Sequence, residues 1–393
     1  MSRVYLDHNA TTPLRAEARD AMIAAMDVMG NPSSVHAEGR AAKAVVERAR
    51  AQVAALVRCE PTQVIFTGSA TEAAALAIAQ KAKHGGRFAA FGTEHDCFHV
   101  WSEADICAPY GADGAMTGNG AKGVFAMMDW VLQPVEKQWS PDRSDQALVA
   151  MSAANSETGL MFKSVPTDEK INALISGTVP FAVVTDITQL AGKAAIEYNG
   201  DKRPSYAVLS AHKLGGPKGV GALINFTVDD PTAMLRGGGQ EMGRRSGTEN
   251  VIGIAGFGAA AEAAQRDVDA GKWAAVEKLR NILETALAAA SNATIFVGKE
   301  ALRLPNTTCF ATPGWKGETQ VMQMDLAGFA ISAGSACSSG KVKASRVLEA
   351  MGLGDIAANA VRVSLGLETT EEDVMRFADT WAQKLKKHQA RAA

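Results

Sequence analysis

Short apolar runs recur along the chain, separated by polar or helical stretches. Val64 to Thr67, Phe88 to Phe91, Leu148 to Met151, Phe181 to Val184, Tyr206 to Leu209 and Val220 to Ile224 are too brief for helices and nearly continuous in apolar residues, as strands covered on both faces require. They predict an α/β protein built on a mostly parallel sheet. Val45, Ala49, Val53 and Leu56 share one face at helical spacing, which predicts a helix capped by Ser33 or Ser34 and running to about Arg58. Gly68 and Ser69 then turn the Val64 strand into an Ala-rich helix from about Thr71 to Lys81. Its first N–H groups are left free at a strand end, in the manner of a phosphate cradle. From about Gly258 the rhythm changes to a long Ala, Glu and Arg helix, brief strands near Ile295 and Thr308, a strand near Arg362 and a final helix from about Thr370. This predicts a smaller second domain.

The chain has 393 residues, 47% hydrophobic and 21% charged, the balance of a soluble globular protein with room for two or three cores. Forty Lys and Arg against 42 Asp and Glu leave a net charge of −2, so neither a nucleic acid nor a membrane surface is expected as the main partner. The longest apolar stretch, Val251 to Ala261, is too short to cross a bilayer and is interrupted by Gly253, Gly256 and Gly258, so it reads as a buried helix. Met1 to Pro13 carry Arg3, Asp7 and His8 without an apolar signal core, and the expectation is a cytoplasmic protein. The five cysteines (Cys59, Cys97, Cys107, Cys309 and Cys337) are odd in number and scattered without a CxxC pair, which argues against a disulfide framework or a zinc cluster.

In α/β sheets ligands gather beyond the carboxyl ends of the strands. Here the runs end in Thr93-Glu94-His95, Asn155-Ser156-Glu157, Asp186 and His212-Lys213. A lysine just past a buried strand can be held as a neutral amine that forms a Schiff base with an aldehyde cofactor, although most lysines taken alone lie at the surface. Asp186 ends the preceding strand, where a carboxylate would keep a pyridine nitrogen protonated and make pyridoxal phosphate an electron sink; a lone Asp there is more often a turn former. Cys337 lies in Ser332-Ala-Gly-Ser-Ala-Cys-Ser-Ser-Gly340, whose small residues let a thiolate swing, whereas a free cysteine is usually a small buried hydrophobe. Arg362 offers a planar fork to a carboxylate, with a structural salt bridge as the alternative. His95, Cys97 and His99 alternate as ligands on one strand face would, but no fourth ligand accompanies them, and no metal is expected. The run Gly334 to Val342 has the wrong glycine spacing for a nucleotide loop.

Asp186-Ile-Thr-Gln189, Ser210-Ala-His-Lys213-Leu-Gly-Gly-Pro-Lys-Gly, Arg245-Ser-Gly-Thr248 and Ser335-Ala-Cys337-Ser-Ser, taken in order, resemble the cysteine desulfurases, pyridoxal-phosphate enzymes of fold type I. The likeness is nearly full length, from Tyr5-Leu-Asp-His-Asn-Ala-Thr-Thr-Pro13 through Gly30-Asn-Pro-Ser-Ser34 to Val361-Arg362-Val-Ser-Leu-Gly366, and the cysteine loop resembles the subgroup with a longer, mobile loop. It implies a large cofactor-binding domain over residues 16–257 and a small domain from 1–15 and 258–393 that carries the cysteine loop. Lys213 would hold pyridoxal phosphate, Asp186 its ring nitrogen and Gln189 its phenolic oxygen, while His95 would stack on the ring and move protons. Ala70, Thr71, Ser210 and His212 would take the phosphate side, Asn155 and Ser156 would support the cofactor, and Thr248 would reach the partner's phosphate in a homodimer. Arg362 and Asn31 would bind the L-cysteine substrate, and Cys337 would carry the sulfur to an acceptor or iron–sulfur scaffold protein.

Asn155-Ser156-Glu157 stands where Asn-Asn-Glu is usual, Gly68-Ser69 for Ser-Gly, and Gly239-Gln240-Glu241 for a common Gly-His-Glu. The alternatives to desulfuration are a selenocysteine lyase or another β-eliminating lyase, and a weakly active sulfur-transfer scaffold. Persulfide formation on Cys337 separates the first reading from both.

Overall fold

The computed structural model describes residues 3–104, 106, 147–161, 181–198, 203–334 and 344–392. In chain order its strands are β1 (Val4–Tyr5), β2 (Val64–Thr67), β3 (Phe88–Ala90), β4 (Leu148–Ser152), β5 (Ala182–Asp186), β6 (Tyr206–Ser210), β7 (Gly221–Asn225), β8 (Ile295–Phe296), β9 (Thr307–Ala311), β10 (Phe329–Ala330) and β11 (Ala360–Ser364). The main helices are α1 (Ala16–Met26), α2 (Ala37–Val57), α3 (Ala70–Ile78), α4 (Asp96–His99), α5 (Val251–Asp269), α6 (Trp273–Ala290), α7 (Gly317–Asp325), α8 (Arg346–Ala350) and α9 (Glu371–Ala392).

The six predicted apolar runs form one sheet in the order β2-β7-β6-β5-β4-β3. Strands β3 to β6 are parallel, whereas β7 is antiparallel to both its neighbours. The reason is in the connection: the segment 211–220 between β6 and β7 is too short to contain a crossover helix, so the chain can only double back. The sheet is therefore α/β and mostly parallel, as the pattern indicated. Alternate residues feed two cores. Val64, Phe66, Ala207, Leu209, Ala222 and Ile224 pack with α2 and α5, while Ile65, Tyr206, Val208 and Leu223 pack with Ala73, Ala77 and Phe98 on the other side.

The helix ends differ from expectation in small ways with clear causes. Helix α2 is capped by His36, whose Nδ1 accepts the Gly39 N–H at 3.3 Å, because Ser33 and Ser34 are held in a turn by Asn31. Helix α3 starts one residue earlier than expected, capped by Ser69, and gives way after Ile78 to a tighter turn that Gly85 closes at φ 81°. The Val251 stretch is a buried helix, as expected, and its glycines are packing devices. A Cβ on Gly258 would lie 2.5 Å from Ala49 Cα, so glycine there lets α2 and α5 approach.

Helix α5 runs through position 258 without a break, and Ala260, Ala261 and Ala264 still belong to the core under the large sheet. Beyond it, α6, α9 and the three-stranded β11-β9-β8 sheet enclose Leu283, Phe310, Trp315, Phe377 and Trp381. Val4 and Leu6 join this second core, and β1 pairs with β10. The residues after β1 then cross to the carboxyl edge of the large sheet.

Candidate active site

Three register partners set the frame of the site. Ser210 at the end of β6 lies opposite Gly221, and Gly221 lies opposite Thr67 at the end of β2, so the segments leaving β6 and β2 emerge side by side. A Cβ on Gly221 would meet the Ser69 carbonyl carbon at 2.4 Å. Only glycine lets the 68–70 turn come this close to β7. That turn starts α3, where Ser69 Oγ accepts the Glu72 N–H at 3.1 Å and the N–H groups of Ala70 and Thr71 have no carbonyl of their own helix to reach. Thr71 is exposed on this first turn.

Lys213 follows on the short turn after β6. Its Nζ donates to Asn9 O and Ala10 O, each at 2.8 Å. The N-terminal segment wraps round the same turn: Thr12 N–H donates to His212 O, Thr12 Oγ1 donates to Lys213 O, and His212 Nδ1 lies 3.1 Å from Thr11 Oγ1. Burial, with Lys213, Lys218 and Lys193 nearby, lowers the His212 pKa to about 4, so the ring is neutral at physiological pH. Asp186 ends β5, beside β6, and its Oδ1 accepts the Thr188 N–H at 2.8 Å.

Asn9 is the hub of this edge. Its O accepts from both Lys213 and Gln189 Nε2, its Nδ2 donates to Ser156 O and Thr307 Oγ1, and its N–H donates to Ser364 Oγ. Arg362, buried on β11, donates from Nη1 to Ser156 O at 3.0 Å and from Nη2 to Asp7 at 2.6 Å. The salt bridge is thus present, yet Arg362 Nε is buried with no partner among the described residues, and an acceptor there would satisfy it. The Ser156 substitution is explained by the same contacts: position 156 supplies its carbonyl, which every residue type has. Asn155 is spent on the turn, its Nδ2 donating to Thr93 O and its Oδ1 accepting from Glu157 and Thr158.

His95, Cys97 and His99 do not alternate on a strand. They lie on the single turn of α4, where residues two apart do not share a face, and His95 caps it by accepting the Cys97 N–H. The turn hangs over β4 and β5 because Glu94 is buried there, accepting a hydrogen bond from Ser152 Oγ. Ser152 is the register partner of Asp186. Desolvation, reinforced by Asp186, pushes the Glu94 carboxyl up to about 7. Arg346, which starts α8, donates to Gly92 O, Glu94 O and Asp96, fastening α8 to this turn. Cys337 lies outside the described residues.

Lys213, Asp186, Gln189, Ser210, His212, Asn155, Ser156, His95 and Arg362 are thus brought to one edge with α3's first turn. Asn31 and Thr248 make no hydrogen bond to this group among the described residues, although Arg245, three positions before Thr248, donates to Glu72 on α3's first turn. Both are exposed, Asn31 in the turn before α2 and Thr248 in the loop before α5. Three members escaped the sequence reading. Asn9 lay inside a motif that was quoted whole, Glu94 stood beside the more reactive His95, and Lys193 is a lone lysine in the apolar run Leu190 to Ala195.

The family model for aminotransferase class V matches residues 4–377. The chain belongs to the class-V aminotransferase family. Within it, a cysteine desulfurase of Frankia sp. (strain EuIK1) is 39% identical, covering 97% of this chain and 90% of that protein. A cysteine desulfurase of Cereibacter sphaeroides is 36% identical, covering 96% and 95%. The crystal structure of a NifS-like protein from Rickettsia africae ESF-5 superposes with a TM-score of 0.82 at 27% identity, covering 98% of this chain and 99% of that one. The mostly parallel sheet with its long N-terminal crossing segment is thus the class-V aminotransferase architecture.

Proposed function

We propose that the chain is a pyridoxal-phosphate-dependent cysteine desulfurase. It takes the sulfur of L-cysteine as a persulfide on Cys337 and releases L-alanine, breaking the substrate's Cβ–S bond and forming an S–S bond. The observation that carries this reading is the placing of Lys213, on the turn that leaves β6, and Asp186, at the end of the neighbouring β5, on one sheet edge beside a helix N-terminus that can take a phosphate. The cofactor fits the groups present: an amine, a carboxylate, free N–H donors at Ala70 and Thr71, and a glycine contact at Gly221 that no side chain would permit.

When bound, pyridoxal phosphate supplies an aldehyde carbon for an amine and a ring that withdraws electrons. The protein does the rest. The Asp186 carboxylate holds the proton at the ring nitrogen, and Gln189 faces the phenolic oxygen. Ala70, Thr71, Ser210 and a neutral His212 hold the phosphate. The Lys213 amine, released from the Asn9 and Ala10 carbonyls, moves the proton at the substrate Cα, and His95 moves the second proton from its place at the head of α4. Arg362 binds the substrate carboxylate, which satisfies its Nε. The Cys337 thiolate attacks the substrate sulfur, and a reducing cytoplasmic setting keeps that thiol free.

Thr248 acts across a homodimer, reaching the partner's phosphate site, and Asn31 joins Arg362 in binding L-cysteine. Exposed Met26, Met29 and Val35 near Asn31, and Met234, Leu235 and Met242 near Thr248, support an interface there. The small domain begins after α5, at about residue 270, and takes β1 and its neighbours with it. A sulfur acceptor or iron–sulfur scaffold protein receives the persulfide.

The test is incubation of the protein and its Cys337→Ala variant with pyridoxal phosphate and L-cysteine, measuring alanine, sulfide and the mass of the Cys337 peptide. The wild type gains one sulfur on Cys337 and makes alanine, and the variant makes almost none. Alanine at the wild-type rate from Cys337→Ala would replace desulfuration with a lyase.

A further inference from the structure

Lys193 is a fully buried lysine with no role in the scheme above. Its Nζ donates to Gln189 Oε1 at 2.8 Å and Gln189 O at 3.1 Å. Among the described residues it makes no hydrogen bond to a carboxylate, and the charges that bear on it are the cations Lys213 and Arg362. The rings of His8 and His212 feel its charge in turn, and both are held neutral; the nearby anion is Asp7, which is bound to Arg362. Burial and these neighbours lower the Lys193 pKa to about 7. A lysine in such a place is costly beside the Leu or Met that would fill the same volume.

What the lysine gives in return is direction. A glutamine amide can turn end for end with little change in shape, and only its hydrogen-bond partners decide which end faces where. Lys193 can only donate when charged, so it selects Oε1. Asn9 O can only accept, so it selects Nε2, at 2.9 Å. That same Asn9 oxygen accepts Lys213 Nζ. The Gln189 NH2 group, with a second hydrogen to give, is therefore turned toward the reacting amine.

We propose that Lys193 is a positioning residue that locks the Gln189 amide so that an N–H, rather than the amide oxygen, faces the cofactor's phenolic oxygen. The inference rests on the cofactor reading above and on Gln189 lying beside that oxygen. A donor there favours the form with the more concentrated negative charge on oxygen, and so eases loss of the proton from the lysine-bound nitrogen next to it. The device acts through Gln189, which separates it from a lysine that merely caps the 187–193 turn.

The experiment is a pH titration of the visible absorption band of the holoenzyme, with the melting temperature of each apoprotein recorded alongside. Lys193→Met keeps the side chain's length and removes the donor, and it should raise the midpoint by at least about 0.5 pH unit. Gln189→Ala should raise it as well. In the Gln189→Ala background, Lys193→Met should add less than half of its own shift, whatever it does to melting. Equal shifts in both backgrounds, or no shift from Lys193→Met while Gln189→Ala shifts the band, would overturn the positioning role and leave the cofactor reading intact. No shift from Gln189→Ala would instead overturn the contact assigned to Gln189, and the inference with it. Lys193→Gln, which retains an N–H for Gln189, covers the case in which the Met variant fails to fold: its midpoint should stay within about 0.3 unit of wild type. A shift as large as that of Gln189→Ala would count against the proposal.

Discussion

Asn9 and Thr248 stand at opposite extremes of the candidate site. Asn9 is 1% exposed and ties Lys213, Gln189, Ser156, Thr307 and Ser364 together, so the groups around it have one arrangement open to them. Thr248 is exposed in a loop and, like Asn31 and Thr71, makes no comparable network within one chain. The buried half is fixed by hydrogen bonds that would be costly to leave unmade in a low-dielectric setting. The exposed half is held by a few part-exposed side-chain contacts, Asn31 to the Ser33 N–H, Arg245 to Glu72 and Gln240 to the Gly247 N–H, which suits groups that wait for a phosphate or a second subunit. The contrast teaches that this site is prepared on one side and completed on the other.

The strongest way to break the contrast is to remove the amine at its centre. Lys213→Ala should lower alanine production by at least ~1,000-fold, the loss expected when a positioned acid–base group is removed. Borohydride reduction of the yellow wild-type protein should leave pyridoxyl mass on Lys213, and mass on another lysine would move the centre of the site.

Crowding the buried half is the next test. Gly366 packs against the buried His8 ring, and a Cβ there would lie 2.1 Å from His8 Cε1. The ring is buried and packed edge-on against Tyr5, so Gly366→Ala should cost about 3 kcal/mol in denaturant unfolding of the apoprotein. A loss below about 0.5 kcal/mol would mean that the buried half is softer than its contacts suggest.

The buried half should also respond to pH. The folded Glu94 carboxyl titrates near about 7, above its ordinary 4.5, so between these values the folded state holds a proton that the unfolded chain has lost. Stability from this group is fully present below about pH 4.5 and is lost as pH rises through about 7. Glu94→Gln removes the titration, and wild type should lose about 2 kcal/mol relative to the variant between pH 5 and 8. A constant difference across that range would show that Glu94 keeps one protonation state.

The smallest effect sharpens the other side. Thr248→Ala should change apoprotein stability by less than about 0.5 kcal/mol, as surface substitutions do. It should still raise the pyridoxal phosphate concentration needed for half-saturation, and by the same factor at every protein concentration at which the dimer persists. Unchanged cofactor affinity would remove Thr248 from the site.

The sequence alone determined the sheet strands, because residues buried on both faces must be apolar and the runs ending at Thr67, Leu209 and Ile224 could form little else. It also determined the chemical types at the strand ends, since Lys213, Asp186 and His95 are each a short step from an apolar run. What it left open were local competitions and anything set by a partner far along the chain. The direction of β7 followed from a connection too short for a helix, and the cap on α2 passed from Ser33 and Ser34 to His36 because the neighbouring Asn31 had already claimed the serines' backbone; both causes are local. His95 moved from a strand to a helical turn because Glu94 is drawn into the sheet by Ser152, and α8 is fastened to that turn by Arg346, some 250 positions away in the chain. Asn9, Lys193 and Gln189 are ordinary polar residues until folding removes water from around them. Only then does each hydrogen bond have a single available partner, and that partner is chosen by the tertiary structure.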